Sequence, residues 1–542
     1  MPYYPRRYLK KNLIIALLFL SSPVLLFFLL LDGQSSSYVK VQPLELPNTV
    51  VHIDLKGSPP KLEYLESLLP IFKEYGVNGL LMEYEDMFPY ENQLKVVRAI
   101  NVYAPQNLSS FLKAATSMGL QIIPVVQTFG HLEFILKRAE FRHLREDDAY
   151  PDSICPSNKE SQILIAEMLK QIIEFHKSIA PIKYLHIGCD EVFHMNECEK
   201  CKSKHASNME IFAKHVKFVK NTVRKLTPGT NILMWDDMMR GTTEDKIKFM
   251  DMRNIEPVYW DYSDTLQVYH SDLVKYLGTF DGVWIASAFK GADGRAATVP
   301  KFNNRFDNHL SWLKLLSQYT TFRNNYKFQG IILTGWSRYT NLDVPCETLQ
   351  TSLHGLLLNL RLIQKFKEGF CLTSQKNRSM ELFQAKYDAF DCSELPNSPL
   401  LAPRCDSLKL IALFLQLETF RNEVNHFMYG DDFGLSTIEF YGDSHINLNF
   451  AHDIVKWCTR INYFVNIFEF SVRNLMAKAY EKEFIDEYLN LKLYNIVKRV
   501  NEVLDATKKA QSRRIWIDDK PKILNLNNLT QKLDFGTEIM IF

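Results

Sequence analysis

Neither sign of charge dominates this chain of 542 residues: 64 lysines and arginines stand against 62 aspartates and glutamates, a net charge of +2. That balance lacks the basic excess by which nucleic-acid binders recruit phosphate, so no nucleic-acid partner is expected. No internal repeat and no low-complexity tract is evident. A glycine-rich phosphate loop is also missing after the first apolar strand-like run, which argues against a nucleotide site. What is present is a hydrophobic content of 46%, enough for a substantial core. The length exceeds a single typical domain, so one large domain with a second unit is expected.

The run Leu13–Leu31 is uncharged and almost wholly apolar, with Arg6, Arg7, Lys10 and Lys11 before it and Asp32 after it. Its length suits a bilayer core, and the charge asymmetry predicts a cytosolic basic tail over 1–12, a signal anchor over 13–31 and a luminal or extracellular remainder. Pro23 inside the run is tolerated better by a membrane helix than by a soluble one. A signal peptide cut near Gly33-Gln34-Ser35-Ser36-Ser37, giving a secreted product, is the rival reading. Residues 32–47 are polar and aperiodic and read as a stem. Acceptor sequons at Asn107, Asn377 and Asn528 fit a secretory route.

Nine cysteines are scattered along the chain, and luminal exposure would permit disulfides, with Cys371, Cys392 and Cys405 as candidates in a loop-rich stretch. The spacing His194-x3-Cys198-x2-Cys201-x3-His205 could suit zinc. A small disulfide or coincidence are the alternatives, and no metal or cofactor is assigned to the chemistry.

Eight short apolar runs follow the stem: Val50–Leu55, Gly79–Tyr84, Gln121–Thr128, Tyr184–Gly188, Asn231–Trp235, Glu256–Trp260, Gly282–Ala286 and Gly330–Thr334. Segments of helical spacing such as Lys61–Tyr75, Ser161–Ser178 and Ser207–Leu226 lie between them. Eightfold alternation predicts an α/β protein, a (β/α)8 barrel of the TIM type over residues 48–344. An open doubly wound sheet would alternate too. The barrel is favoured because nearly every run ends in polar or aromatic side chains, as a barrel's active rim requires. From 345 to 542 the texture changes to long amphipathic stretches, Leu408–Met428, Ile454–Lys478 and Phe484–Ala510, which read as an all-helical C-terminal region.

The segment His186-Ile187-Gly188-Cys189-Asp190-Glu191-Val192 places two adjacent carboxylates where the fourth strand should end. Carboxylates that are partly desolvated together raise one another's pKa, which is useful for proton transfer. Asp190 as a simple helix cap is the other reading. On a strand, adjacent residues point to opposite sides, so the pair is poorly placed to act as the facing acid and nucleophile of an ordinary glycosidase.

His-x-Gly-x-Asp-Glu at a strand end resembles the catalytic motif of glycoside hydrolase family 20, the β-N-acetylhexosaminidases. Further segments are similar to the hexosaminidase D branch of that family: His52–Gly57, Glu83–Tyr90, Gln127–His131, Trp235–Met238, Trp260–Tyr262 and Leu333–Trp336. The resemblance implies an exo-acting enzyme that removes terminal β-linked N-acetylgalactosamine or N-acetylglucosamine from a glycan or glycoconjugate. The substrate's own 2-acetamido oxygen would be the nucleophile. Glu191 would act as general acid and then base, helped by Asp190, which would raise its pKa and polarise the acetamido N–H. His131 is matched by a histidine near the acid. Trp235, Asp236, Trp260, Tyr262 and Trp336 would bind the sugar, Trp235 and Trp336 lining the acetamido pocket and Tyr262 reaching the acetamido carbonyl. The best-known members carry an arginine on the first strand and an acidic residue after the last strand's tryptophan. Here Asp54, Lys56 and Arg338 occupy those neighbourhoods, so hydroxyl recognition is expected to differ. A barrel glycosidase with a protein nucleophile (Glu83, Asp236 or Asp261), or an inactive carbohydrate binder, are the competing readings.

Overall fold

The computed structural model describes residues 38–40, 43–249, 252, 254–322, 328–372, 402–429 and 448–512. Eight parallel strands close into a barrel in chain order. They are β1 Asn48–Asp54, β2 Gly79–Glu83, β3 Gln121–Val125, β4 Tyr184–His186, β5 Asn231–Trp235, β6 Ile255–Trp260, β7 Val283–Lys290 and β8 Phe328–Gly335. Closure comes from pairs such as Val50 with Ile332 between β1 and β8. After each strand, in turn, comes a helix: α1 Leu62–Glu74, α2 Pro105–Ser117, α3 Lys159–Lys177, α4 Asn208–Leu226, α5 Glu244–Phe249, α6 His270–Thr279, α7 Phe302–Phe322 and α8 Leu349–Lys367. The eight apolar runs are these eight strands, and the barrel expected from the alternation is the fold that forms.

Local chemistry explains the elements. In α1, Leu62, Leu65, Leu68, Leu69 and Phe72 recur at helical spacing on one buried face, with Glu63 in the first turn and Lys73 in the last to complement the dipole. A capping box opens α4: Ser207 N donates to Glu210 at 2.7 Å and Glu210 N donates to Ser207 Oγ at 3.3 Å.

Side-chain alternation along the strands positions the site. Val50, Leu81, Ile123, Tyr184, Leu233, Val258, Trp284 and Ile332 belong to one buried cluster filling the barrel. Two residues further along each strand, on the same inward face, come the groups of the rim: His52, Glu83, Val125, His186, Trp235, Trp260, Ala286 and Thr334. Odd neighbours such as Val51, Ile53 and Met234 face the surrounding helices and join the outer core.

The fourth run was predicted through Gly188, but β4 ends at His186, paired with Val125 of β3. Gly188 (φ 66°) and Cys189 (φ 70°) then turn the chain into left-handed conformation. A side chain at Gly188 would strike Gln127 Oε1 at 1.9 Å, so glycine is required there on both counts.

The chain, expected to leave the barrel at 345, first adds α8, which packs on α7 and β7 and completes the ring. The helical region is then α9 Ala402–Tyr429, α10 Leu448–Met476 and α11 Lys482–Ser512. Phe414 of α9 meets Phe468 of α10 and Tyr488 of α11 at 5.9 and 5.7 Å, giving these helices a shared aromatic core. They dock on the barrel through Lys61 N to Ala479 O (2.6 Å), Leu349 N to Tyr480 Oη (2.9 Å) and Lys492 Nζ to Ala296 O (2.6 Å).

The basic tail, the apolar run Leu13–Leu31 and residues 32–37 of the stem lie outside the described residues. Among the described residues no helix is long and apolar enough to cross a membrane. Cys405 is disulfide-bonded. Asn107 is exposed on the first turn of α2, while the sequons at Asn377 and Asn528 are outside the described residues.

Candidate active site

A cavity of about 590 Å³ opens at the carboxyl ends of the strands. Its lining includes five of the expected sugar-binding residues, His131, Trp235, Trp260, Tyr262 and Trp336, together with Asp190 and Glu191. The indoles of Trp235 and Trp336 lie 5.8 Å apart, and Trp260 stacks on Tyr262 at 5.1 Å. The cavity therefore combines aromatic surfaces with carboxylates, a lining suited to a sugar ring.

Asp190 and Glu191 do not lie on opposite sides of a strand. Because the chain has already left β4, and Glu191 itself has a φ of 44°, both carboxylates reach one imidazole. His131 Nε2 is 3.5 Å from Asp190 Oδ2 and 3.4 Å from Glu191 Oε2. Two devices hold them there against backbone strain. Gly130 lets the β3 loop approach so closely that a Cβ would sit 2.4 Å from the Asp190 carbonyl. Asp237 accepts the Glu191 N–H at 2.9 Å and lies 3.4 Å from the Trp260 indole N–H. Left-handed backbone at His131 (φ 52°), Cys189 and Glu191 stores strain of about 1–3 kcal/mol per residue, which the surrounding contacts must hold.

Electrostatics divide the two acids in the direction opposite to the sequence expectation. Burial, above all, pushes the Asp190 carboxyl up to about 7, with Asp237, Glu83 and Glu191 adding repulsion against the pull of His131. Glu191 is instead held below the ordinary glutamate value, chiefly by the hydrogen bond from His131. Burial would push the imidazole down, but Asp190, Glu191 and Glu133 outweigh it and hold His131 at about 10. In the ligand-free protein the proton therefore rests on His131. Asp190 Oδ1 and Trp235 Nε1 are buried with no hydrogen-bond partner, an unused acceptor and an unused donor in the cavity wall.

Asp236 is placed elsewhere. Trp235 faces inward, so its neighbour faces outward, where the fully buried Asp236 carboxylate accepts two hydrogen bonds from Arg240, each 2.8 Å. It does not line the cavity. Burial raises its pKa to about 6 even with that partner. Arg240 also donates to the Trp260 carbonyl at 2.6 Å, so Asp236 acts on the site by fixing the backbone beneath Trp260.

Further charged groups line the cavity, of which the sequence pointed to Lys56, Glu83 and Arg338 but not to Arg305. Lys56 is buried, 2.8 Å from Asp54 and 3.7–3.8 Å from Glu83 and Glu85, with its ammonium 4.8 Å from the Trp336 ring centre. Desolvation would lower its pKa, but those three carboxylates raise it well above the usual lysine value. Glu83 also accepts from Gln127 at 3.2 Å and pairs with His52 at 3.0 Å. Arg305 donates to the Tyr262 carbonyl at 2.9 Å and sits 3.3 Å from Asp293. Arg338 reaches the rim while its guanidinium holds Glu487 of α11 at 2.8 Å. Counting by two from Leu81 and from Trp235 puts Glu83 in the cavity lining and Asp237 behind it, against the Glu191 N–H. Arg305 and Glu487 are carried by helices remote in sequence and gave no local signal.

A carboxylate pair on one histidine, inside an aromatic-lined cavity at the carboxyl rim of a (β/α)8 barrel, places acid–base groups where enzymes of this fold carry their active sites. Residues 79–272 match the model of "Glycosyl hydrolase family 20, catalytic domain". Over 322 residues the chain is 40% identical to human Hexosaminidase D, covering 58% of this chain and 65% of that protein. It is 38% identical to bovine Hexosaminidase D over 322 residues, covering 58% of this chain and 91% of that one. Among solved structures, a Flavobacterium johnsoniae chitobiase aligns with a TM-score of 0.48 at 12% identity, over 87% of this chain and 74% of its own. The chain belongs to glycosyl hydrolase family 20.

Proposed function

We propose that the protein is an exo-acting β-N-acetylhexosaminidase that releases terminal β-linked N-acetylgalactosamine or N-acetylglucosamine with retention of configuration. The observation that carries this reading is the convergence of Asp190 and Glu191 on one nitrogen of His131. Two acids side by side on one histidine do not flank a sugar as acid and opposing nucleophile. A substrate that brings its own acetamido oxygen needs only the acid and a partner for the amide.

In this mechanism Glu191 protonates the departing glycosidic oxygen while the acetamido oxygen bonds to the anomeric carbon. Asp190 accepts the acetamido N–H through its unpartnered Oδ1 and balances the positive charge of the cyclic intermediate. Water then attacks the anomeric carbon, Glu191 takes its proton, and the acetamido group is restored. Glu191 is half-exposed in the free protein and anionic. A sugar covering it strips that solvent and raises its proton affinity, and His131, 3.4 Å away, holds the proton to be transferred. Trp235, Trp260, Tyr262 and Trp336 hold the ring, and Asp236 supports Trp260 from behind.

A thiazoline analogue of the acetamido-derived intermediate is expected to inhibit competitively and tightly. Absence of inhibition, together with a trapped glycosyl-enzyme ester on a lining carboxylate such as Glu83 or Asp261, would replace this reading with a protein nucleophile.

We further propose that residues 13–31 anchor the chain with its C-terminal side in the secretory lumen or at the cell surface. The apolar run behind a basic tail, the bonded Cys405 and the exposed Asn107 sequon support that topology. A C-terminal tag should be protected from added protease in intact microsomes, and cleavage of the tag there would reverse the orientation.

A further inference from the structure

Three thiols and one carboxylate meet in a single spot outside the sugar cavity. Cys155 comes from the loop after β3, and Cys198 and Cys201 come from the loop after β4. Cys155 Sγ lies 3.2 Å from Cys198 Sγ and 3.7 Å from Cys201 Sγ, and Glu146 Oε2 lies 3.3 Å from Cys201 Sγ. One ligand atom from each of the four residues falls within 4.8 Å of every other. Glu146, Cys155 and Cys201 are each no more than 2% exposed.

The distances discriminate between explanations. A disulfide needs about 2.05 Å between sulfurs, and all three thiols are free. Sulfurs bound to one tetrahedral zinc at about 2.3 Å are separated by roughly 3.8 Å. Three thiols cannot pair off among themselves, whereas a tetrahedral ion uses all three and the carboxylate. The surroundings are also organised for ligation. Cys198 caps the short turn Glu199–Lys202, and its sulfur accepts the Cys201 N–H at 3.4 Å. Glu146 Oε1 accepts the backbone N–H groups of Glu197 and Cys198 at 2.8 and 3.1 Å, which orients Oε2 toward the sulfurs.

We propose that Glu146, Cys155, Cys198 and Cys201 bind one zinc ion as a closed structural site. Binding displaces the thiol protons and leaves a tetrahedral centre with no open position, so the ion takes no part in sugar hydrolysis. Neither histidine of the spacing noted in the sequence is a ligand. His194 instead pairs with Asp152 at 2.8 Å and stacks on Tyr150, and His205 is exposed. The site joins the two loops that begin with His131 and with Asp190-Glu191. It staples the strained backbone that brings the acids together.

The test is metal analysis of the purified full-length chain by mass spectrometry, with thiol alkylation and peptide mapping on the same sample. About one zinc per chain is expected, with Cys155, Cys198 and Cys201 alkylated only after denaturation in chelator. Cys155→Ser should lose the metal, while Cys346→Ser should keep it. In case Cys155→Ser fails to fold, cobalt exchange into the wild type gives a second reading. Intense sulfur-to-cobalt charge-transfer bands with tetrahedral visible bands are expected. A mapped disulfide between any two of the three cysteines, metal-free folded protein, or zinc retained by a folded Cys155→Ser would each overturn the proposal.

Discussion

Replacing Glu191 by glutamine isolates proton transfer from every other contribution of the site. The side chain is 41% exposed, so the change leaves no buried group unpaired, and glutamine meets the same left-handed backbone with the same branching. Its backbone N–H keeps Asp237 as acceptor at 2.9 Å, and its amide oxygen can still accept from His131. The charge facing His131 is lost while an accepting oxygen is kept, so stability should fall modestly, by about 1 kcal/mol, and the variant should stay folded. Activity should not be spared. General acid catalysis contributes roughly 10²–10⁴-fold, or about 2.7–5.4 kcal/mol of transition-state stabilisation. Where in that range the loss falls depends on the leaving group. A nitrophenolate departs with little protonation and should show the smaller loss in kcat/KM. An alkyl or sugar aglycone, which must be protonated, should show the larger. The assay compares aryl and alkyl β-N-acetylhexosaminides with wild type and variant, beside melting curves of both. Equal losses on the two substrate classes in a folded variant, or no loss on either, would refute the assignment of Glu191 as the acid.

Two further outcomes follow from the charges. His131 is raised from 6.5 to about 10, so the stability it adds is complete below 6.5 and disappears as pH rises through about 10. The melting difference between wild type and His131→Gln should be largest near pH 6 and shrink toward pH 10, and a difference that is flat with pH would show the cation is not what holds the pair. Arg240→Met leaves the fully buried Asp236 without its partner and should cost about 3–5 kcal/mol in urea unfolding, with Asp236→Asn added to it restoring part of the loss. A cost below about 1 kcal/mol would refute the importance of that pair.

The barrel was legible because parallel strands covered on both faces read as bare apolar runs, and eight of them at regular spacing leave few alternatives. Trp235, Trp260, Tyr262, Trp336 and the Asp190-Glu191 pair were legible because they sit at the ends of those runs. Asp236 shows the limit of that reading. Position near a strand end does not say which way a side chain points, and counting by two from Leu233 turns it out of the cavity. The geometry of Asp190 and Glu191 was hidden for a different reason: strand alternation was assumed where Gly188, Cys189 and Glu191 adopt positive φ. Their protonation was misjudged because the influence of His131 on Glu191 depends on a 3.4 Å contact between separate loops. The thiol cluster combined Cys198 and Cys201 with Cys155, 43 residues before Cys198, a distance over which spacing carries no information.

The bond from Arg338 to Glu487 ties a residue of the cavity lining to the C-terminal helices, so they act on the sugar site as well as supporting the barrel. Lys492, one and a half turns further along α11, fastens the Ala296 carbonyl in the loop beside the same mouth. A barrel cut free after α8 would keep both acids yet lose the anchor of Arg338, a cation of the cavity lining. Grafting this barrel onto another scaffold, or exchanging barrels between relatives, therefore requires carrying α11 along. Substrate preference in such chimaeras should follow the helix as well as the strands.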